Sequence, residues 1–123
     1  MPVVLCIDDD RSGLAFRKLV LETKGYIVLA TTSGAAGIQL SRRAHVDAVV
    51  LDFQMPNIDG EQVARVLRQE HPTLPIILLS GSEVPASIFP VVNEYLQKGS
   101  ANSVDLLDRA LLRVTQKSLG RAA

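Results

Sequence analysis

The sequence has little of what stabilises secreted or membrane proteins. Its single cysteine, Cys6, lies in an apolar run, so no disulfide can form within the chain, and we interpret it as a buried thiol in a reducing compartment. No apolar run approaches the length of a membrane span. The run at residues 3–7 is too short for a secretory signal peptide and precedes three aspartates. These absences predict a cytoplasmic protein.

Charge of one sign is not in excess either. The 123 residues include 13 basic and 13 acidic side chains, which leaves no strong field to attract nucleic acid or an anionic membrane. Apolar residues make up 47% of the chain, so it can bury a core and is not disordered. We therefore predict one domain at residues 1–118, a tail at 119–123, and no nucleic-acid or membrane partner.

Short apolar runs alternate with longer amphipathic stretches along the chain. Strands this apolar, joined by helices, predict an α/β fold in which a doubly wound parallel sheet is covered by helices on both faces. The predicted strands are residues 3–7, 26–30, 48–51, 76–79 and a short run around 95–96.

Four stretches between and after these strands have helical character. The predicted helices lie after the first strand, at 33–43, at 61–70, and from the N-cap Asn102 onward. Apolar spacing predicts the buried side chains: Phe16, Leu19 and Val20 in the first helix, which Gly25 ends; Val63, Val66 and Leu67 in the third; and Val104, Leu107, Leu111 and Val114 in the last.

The segment at residues 82–94 has a weaker pattern. Pro85 suits the first turn of a helix, but Pro90 would break anything longer. We therefore predict that the fourth helix is short or irregular, with one or two turns at most.

Polar side chains follow several of these strands. Ligands of doubly wound sheets bind beyond the carboxyl ends of the strands, where this chain places Asp8-Asp9-Asp10, Asp52, Ser80 and Lys98. Clustered carboxylates repel one another, and a hard divalent cation such as Mg²⁺ relieves the repulsion. An aspartate can act as a nucleophile toward phosphorus, and phosphoryl transfer needs chiefly positioning and charge stabilisation. The pattern favours phosphoryl chemistry at this edge.

Four motifs in this order resemble the receiver domains of bacterial response regulators in two-component systems, over nearly the whole chain. They are Asp8-Asp9-Asp10, then Asp52-Phe53-Gln54-Met55-Pro56-Asn57-Ile58-Asp59-Gly60, then Ser80-Gly81, then Tyr95-Leu96-Gln97-Lys98-Gly99. The resemblance implies a flavodoxin-like five-stranded sheet with strand order 2-1-3-4-5.

The resemblance also implies a role for each residue. Asp52 would accept the phosphoryl group from a sensor histidine kinase, a histidine phosphotransfer protein or a small phosphodonor. Mg²⁺ would be bound directly by Asp9 and Asp52, through water by Asp8, and by the backbone carbonyl of Gln54. Lys98 and Ser80 would contact phosphoryl oxygens, and Tyr95 would turn inward when Ser80 moves.

Two departures from the family pattern concern the output surface. Gly99 stands where many members have proline, so the family pattern gives no ground to assume a cis peptide after Lys98. The stretch from Ser80 to Lys98 is also about one helical turn shorter than usual. The resemblance thus implies complete phosphoryl chemistry and an atypical signalling face.

The implied function is a switch that controls an unknown output partner or domain, and not an enzyme acting on an external substrate. One alternative is a haloacid-dehalogenase-type phosphatase with Asp8 as nucleophile and Asp10 as acid–base, with Ser80 and Lys98 in its later motifs. It lacks the expected C-terminal acidic pair, because Asp105 and Asp108 lie three apart on a helix. Another alternative is a pseudo-receiver that binds partners without phosphorylation.

The remaining charged and titratable side chains have simpler interpretations. His45 and His71 show no pattern for metal binding or catalysis, and we predict that both lie on the surface. A cationic row on the last helix is interpreted as a solvated face, with a partner or homodimer contact as the alternative. The row consists of Arg109, Arg113, Lys117 and Arg121.

Overall fold

A computed structural model describes residues 1–55, 59–99 and 103–122 of the chain. Asn102, the predicted N-cap of the last helix, lies outside the described residues, as do Pro56, Asn57 and Ile58. The elements in chain order are β1 (Val3–Ile7), α1 (Arg11–Thr23), β2 (Ile27–Thr31), α2 (Gly34–Arg43), β3 (Ala48–Asp52), α3 (Gly60–Glu70), β4 (Ile76–Ser80), a 3₁₀ turn (Ala86–Ile88), β5 (Glu94–Gln97) and α4 (Ser103–Ala122).

The five strands form one parallel sheet. Its order is β2-β1-β3-β4-β5, as the resemblance implied. The register pairs Asp52 with Leu79 and Ser80 with Gln97. The carboxyl ends of β3, β4 and β5 therefore lie side by side at one edge of the sheet.

Alternate strand residues feed two separate cores, because successive side chains in a strand point to opposite faces. On one face, Cys6 and Val50 pack with residues of α1 and α4 such as Leu21 and Leu111. On the other face, Leu5 packs with residues of α2 and α3. The prediction of helices on both faces is confirmed. Cys6 is buried, and burial raises the pKa of its thiol to about 12.

Helix α1 buries a different stripe from the predicted one. Phe16 and Leu19 are 59% and 62% exposed, so their assignment to the core was wrong, and Val20 is only half-buried. The inner face instead carries the buried Leu14 and Leu21. Arg17 lies between them at helical spacing, and its charge hid this stripe from the apolar pattern.

The other helices bury the predicted stripes. Val63 and Leu67 of α3, and Leu107, Leu111 and Val114 of α4, are buried, whereas Val66 and Val104 are half-buried. Helix α1 ends just before Gly25, whose φ of +97° is a left-handed conformation that favours glycine. Within the described residues, no helix has both the length and the apolar character needed to cross a bilayer.

The segment between β4 and β5 contains one 3₁₀ turn, as its prolines predicted. Ile88 is the buried anchor of this turn. The guanidinium of Arg68 on α3 holds the segment's end by donating hydrogen bonds to the Val91 carbonyl and to Asn93 Oδ1. The segment therefore contains a short 3₁₀ turn where a regular α-helix could have formed, and its end is attached to α3.

Candidate functional site

Three aspartates meet at the carboxyl edge of the sheet. Asp8 and Asp9 follow β1, and Asp52 is the last residue of the neighbouring β3. Each offers a carboxylate oxygen, and the three oxygens lie within 4.8 Å of one another. This set of hard oxygen donors fits a divalent cation such as Mg²⁺, which prefers carboxylate ligands.

Lys98 connects two of these carboxylates. Its ammonium lies 2.9 Å from Asp8 Oδ2 and 3.1 Å from Asp52 Oδ1. The Lys98 backbone N–H donates to the Ser80 carbonyl at 2.8 Å, which fixes the start of the turn after β5. Gly99 completes that turn with a φ of +90°, a value that proline cannot adopt. The loop that positions Lys98 therefore depends on glycine.

Asp8 is the most strongly paired group of the site. It is 1% exposed, and its Oδ2 accepts hydrogen bonds from both Lys98 Nζ and Arg17 Nη1, the latter at 3.2 Å. Its Oδ1 accepts from the Asp10 backbone N–H at 3.0 Å. Burial would raise the pKa of Asp8, but the Asp10 N–H and the Lys98 ammonium outweigh burial and hold that pKa below its ordinary value. Asp8 is therefore a carboxylate under ordinary conditions.

Asp52 has the opposite electrostatic balance. It is 4% exposed, and burial together with the negative charge of Asp8 raises its pKa to about 6. Lys98 offsets only part of this increase. A cation placed among the carboxylates would favour the ionised form, because it counters the charge of Asp8.

Ser80 and Tyr95 meet at the backbone of Ser82. The Ser80 hydroxyl donates to the Ser82 carbonyl at 2.7 Å, and the Tyr95 hydroxyl reaches the same oxygen at 3.3 Å. The Tyr95 ring packs edge-on against Phe89, with centroids 5.9 Å apart. Gln54 Nε2 donates to Ser82 Oγ at 2.6 Å. The loop after β4 therefore connects Ser80, Tyr95 and the loop that follows Asp52.

Comparison with known proteins identifies the family. Residues 4–107 match the model of the response regulator receiver domain. The chain belongs to this family. As a receiver domain it is part of two-component signalling, and its family consists of signalling switches. The resemblance inferred from the four motifs is confirmed.

Individual relatives agree with this assignment. The receiver domain is 38% identical over 127 residues to the response regulator MprA of a Mycobacterium species (strain KMS), covering 98% of this chain and 55% of MprA. The chain thus spans about half the length of the curated relatives it matches. The receiver domain of Francisella response regulator 1452 has 25% identity and a TM-score of 0.87, over 96% of this chain and 99% of that one. TrrA of Thermotoga maritima, solved in complex with Mg²⁺-BeF, has 26% identity and a TM-score of 0.85, over 93% and 99%.

Other titratable groups of the receiver domain lie away from the site or in local pairs. Asp105 and Asp108 lie 3.9 and 3.8 Å from the ammonium of Lys24, which precedes β2 at the opposite edge of the sheet. They therefore do not supply the second acidic pair of a phosphatase. His45 is exposed beside Asp47, as predicted, but His71 is half-buried and 3.1 Å from Ser41 Oγ.

The cationic row of α4 is partly engaged within the chain. Arg113 forms an ion pair with Glu94 of β5 at 2.9 Å. The side chains of Lys117 and Arg121 lie outside the described part. Arg113 is therefore paired within the chain, and a contact with another protein is not needed to compensate its charge.

Two contacts of the site were not anticipated from the sequence. Arg17 reaches Asp8 from α1, and Ser82 binds the side chain of Gln54. A signal for Arg17 was present, because it lies three residues after Leu14 and four before Leu21 and so shares their helix face. No local pattern marks Ser82, which is 28 residues from Gln54.

Proposed function

We propose that this receiver domain accepts a phosphoryl group on Asp52 in an Mg²⁺-dependent reaction and thereby changes the surface that it presents to an output partner. The supporting observation is the ammonium of Lys98, which contacts Asp8 and Asp52 together while Asp9 lies beside them. A nucleophile, an acidic pair and a cation for phosphoryl oxygens are thus in contact. Positioning and charge stabilisation are the main requirements of this chemistry.

We propose the metal ligands that the family resemblance implies, and the cluster of Asp8, Asp9 and Asp52 carboxylates supports this choice. Asp9 and Asp52 would bind it directly, Asp8 through water, and the Gln54 carbonyl would add a further oxygen. When bound, Mg²⁺ supplies positive charge to the phosphoryl oxygens.

The residues of the chain would divide the transfer between them. One Asp52 oxygen forms the bond to phosphorus, while the bond between phosphorus and the donor, such as a phosphohistidine nitrogen, breaks and leaves its electron pair on the donor. Lys98 would turn from Asp52 toward a phosphoryl oxygen. Ser80 would exchange its bond to the Ser82 carbonyl for another phosphoryl oxygen, and Tyr95, released from the same carbonyl, would turn inward.

The test uses acetyl phosphate with and without MgCl₂, followed by intact mass measurement and peptide mapping. We expect one phosphoryl group per chain, on Asp52 and only with Mg²⁺. The Asp52→Asn variant should take up none, and Lys98→Met should take up far less. Uptake by Asp52→Asn together with release of phosphate would indicate the phosphatase. No uptake and no binding of beryllofluoride would indicate a pseudo-receiver.

The setting of the domain is part of the same proposal. We propose a cytoplasmic domain at residues 1–118 with a tail at 119–123, although α4 itself continues to Ala122. A sensor histidine kinase or a histidine phosphotransfer protein would donate the phosphoryl group. We expect no contact with nucleic acid or membrane through this domain. A homodimer through α4 is tested by the charge reversals Arg113→Glu and Lys117→Glu, and unchanged association would contradict it.

A further inference from the structure

Arg17 occupies an unusual place for a charged side chain. It shares the inner face of α1 with the buried Leu14 and Leu21, and its side chain is only 14% exposed. A guanidinium stays charged at every accessible pH, so it cannot relieve burial by losing a proton. Burying most of such a charge is costly unless a partner compensates it.

Asp8 is that partner. Arg17 Nη1 lies 3.2 Å from Asp8 Oδ2, the same oxygen that Lys98 contacts at 2.9 Å. Among the residues that the structure describes, the Arg17 side chain donates to no other group. The ion pair with Asp8 therefore accounts for the burial of the Arg17 guanidinium on the inner face of α1.

The ion pair changes the charge that the site offers to a metal. Asp8, Asp9 and Asp52 carry three negative charges when ionised, and Lys98 and Arg17 carry two positive charges. The cluster therefore has a formal charge of about −1 with Arg17 and about −2 without it. A fixed cation beside the carboxylates opposes binding of a divalent cation and supports the buried Asp8 when no metal is bound.

We propose that Arg17 is a built-in counter-cation of Asp8, a positioning residue that stabilises the metal-free site and lowers its affinity for Mg²⁺. The inference rests on the proposed function for the metal that it concerns. It predicts that Arg17 stabilises the metal-free site and at the same time weakens Mg²⁺ binding. A merely structural role would not produce the second effect.

The test measures Mg²⁺ affinity directly, by calorimetric titration with MgCl₂ near neutral pH at constant ionic strength. Arg17→Met keeps the length and apolar stem of the side chain and removes its charge. We expect this variant to bind Mg²⁺ about three- to tenfold more tightly than the wild type. Its melting temperature without metal should be lower, because Asp8 loses one of its two cations. Arg17→Lys should lie closer to the wild type in both measurements.

A matched control is available on the same helix. Lys18→Met also removes one positive charge, but Lys18 pairs with Glu22 at 2.9 Å and not with the acidic cluster. Its Mg²⁺ affinity should equal that of the wild type. If Arg17→Met destabilises the fold too far, Arg17→Gln repeats the test with a polar, uncharged side chain.

The outcomes separate this inference from the proposed function. Equal or weaker Mg²⁺ binding by both Arg17→Met and Arg17→Gln, with normal binding by the wild type, would overturn the inference alone. A wild-type chain that binds no Mg²⁺ and takes up no phosphoryl group would overturn both. Tighter binding with a lower metal-free melting temperature would support both.

Discussion

The carboxamide of Gln54 donates a 2.6 Å hydrogen bond to the hydroxyl of Ser82, which joins the loop after β3 to the loop after β4. The Gln54 backbone N–H also points at Asp52 Oδ1, at 3.3 Å. The bridge therefore lies beside the proposed phosphoacceptor, where we expect it to hinder the approach of water to a phosphoryl group.

Removal of this bridge should shorten the lifetime of phosphorylated Asp52. We expect Gln54→Ala and Ser82→Ala each to speed loss of the phosphoryl group roughly two- to fivefold, because water gains access. The double variant should be no faster than the faster single variant, since both remove the same bond. The measurement is the decay of the phosphorylated mass after the donor is removed. Ser87→Ala is the control, and additive effects would contradict the shared bridge.

The raised pKa of Asp52 predicts how stability without metal depends on pH. The pKa is about 6 in the folded chain, against an ordinary value of 3.8, so the folded state holds the proton more tightly. Protonated Asp52 therefore contributes to the stability of the folded state below about pH 4, and this contribution is lost as the pH rises to about 6. Asp8 acts in the opposite direction, because its pKa is lowered and its contribution is lost only in stronger acid.

Asp52→Asn should therefore be more stable than the wild type above pH 6, by about 1–3 kcal/mol, and the difference should shrink toward pH 4. Urea unfolding in EDTA across this pH range measures the difference. Glu83→Gln, which changes an exposed carboxylate, should show no such trend. A constant difference at all pH values would mean that the charge of Asp52 is not the cause.

The hydrogen bonds of Arg68 stabilise the short segment between β4 and β5, and their contribution can be measured. Its guanidinium donates to the carbonyls of Val91 and Leu74 and to Asn93 Oδ1. We expect Arg68→Met to lower the free energy of unfolding by about 2 kcal/mol, because several acceptors lose a charged donor. The exposed Arg43→Met should cost less than about 0.5 kcal/mol in the same urea titration. Equal costs would show that the network is not stabilising.

The absence of a side chain at Gly60 lets the start of α3 pack closely against the backbone of Asp52 and Phe53. A Cβ at this position would lie 2.5 Å from Phe53 Cα and 2.6 Å from the Asp52 carbonyl oxygen, both of which are backbone atoms. Gly60→Ala should cost about 1–3 kcal/mol and reduce phosphoryl uptake, because the backbone at Asp52 must shift. Gly81→Ala, where a Cβ meets nothing within 4 Å, should leave stability nearly unchanged. Urea unfolding and mass measurement test both variants.

Much of the architecture could be predicted because its signals are local. Apolar runs and turn residues identified all five strands, and the parallel fold then brought Asp8, Asp52 and Lys98 to one edge. Pro85 and Pro90 likewise limited the helix between β4 and β5. Each of these inferences needs only residue type and spacing.

The errors arose where a distant partner overrides residue type. Phe16 and Leu19 match helical core spacing as well as Leu14 and Leu21 do, but the buried stripe is the one that packs against α4 and includes Arg17, which pairs with Asp8. That pair joins a helix to the end of a strand, which sequence spacing does not reveal. A charged residue within an apolar pattern also indicates a solvent-exposed helix face, so the buried stripe was not predicted. The bond between Gln54 and Ser82 likewise depends on two loops meeting in space.

The shared oxygen of Asp8 has a consequence for Lys98. Of the two cations on that oxygen, Arg17 is fixed in the helix face, whereas Lys98 is 29% exposed on a loop. If Lys98 swings toward an incoming anion, Asp8 keeps a full counterpart and is not stranded as a bare charge in the interior. Arg17 would thus allow Lys98 to leave Asp8 without a buried carboxylate losing all of its positive neighbours.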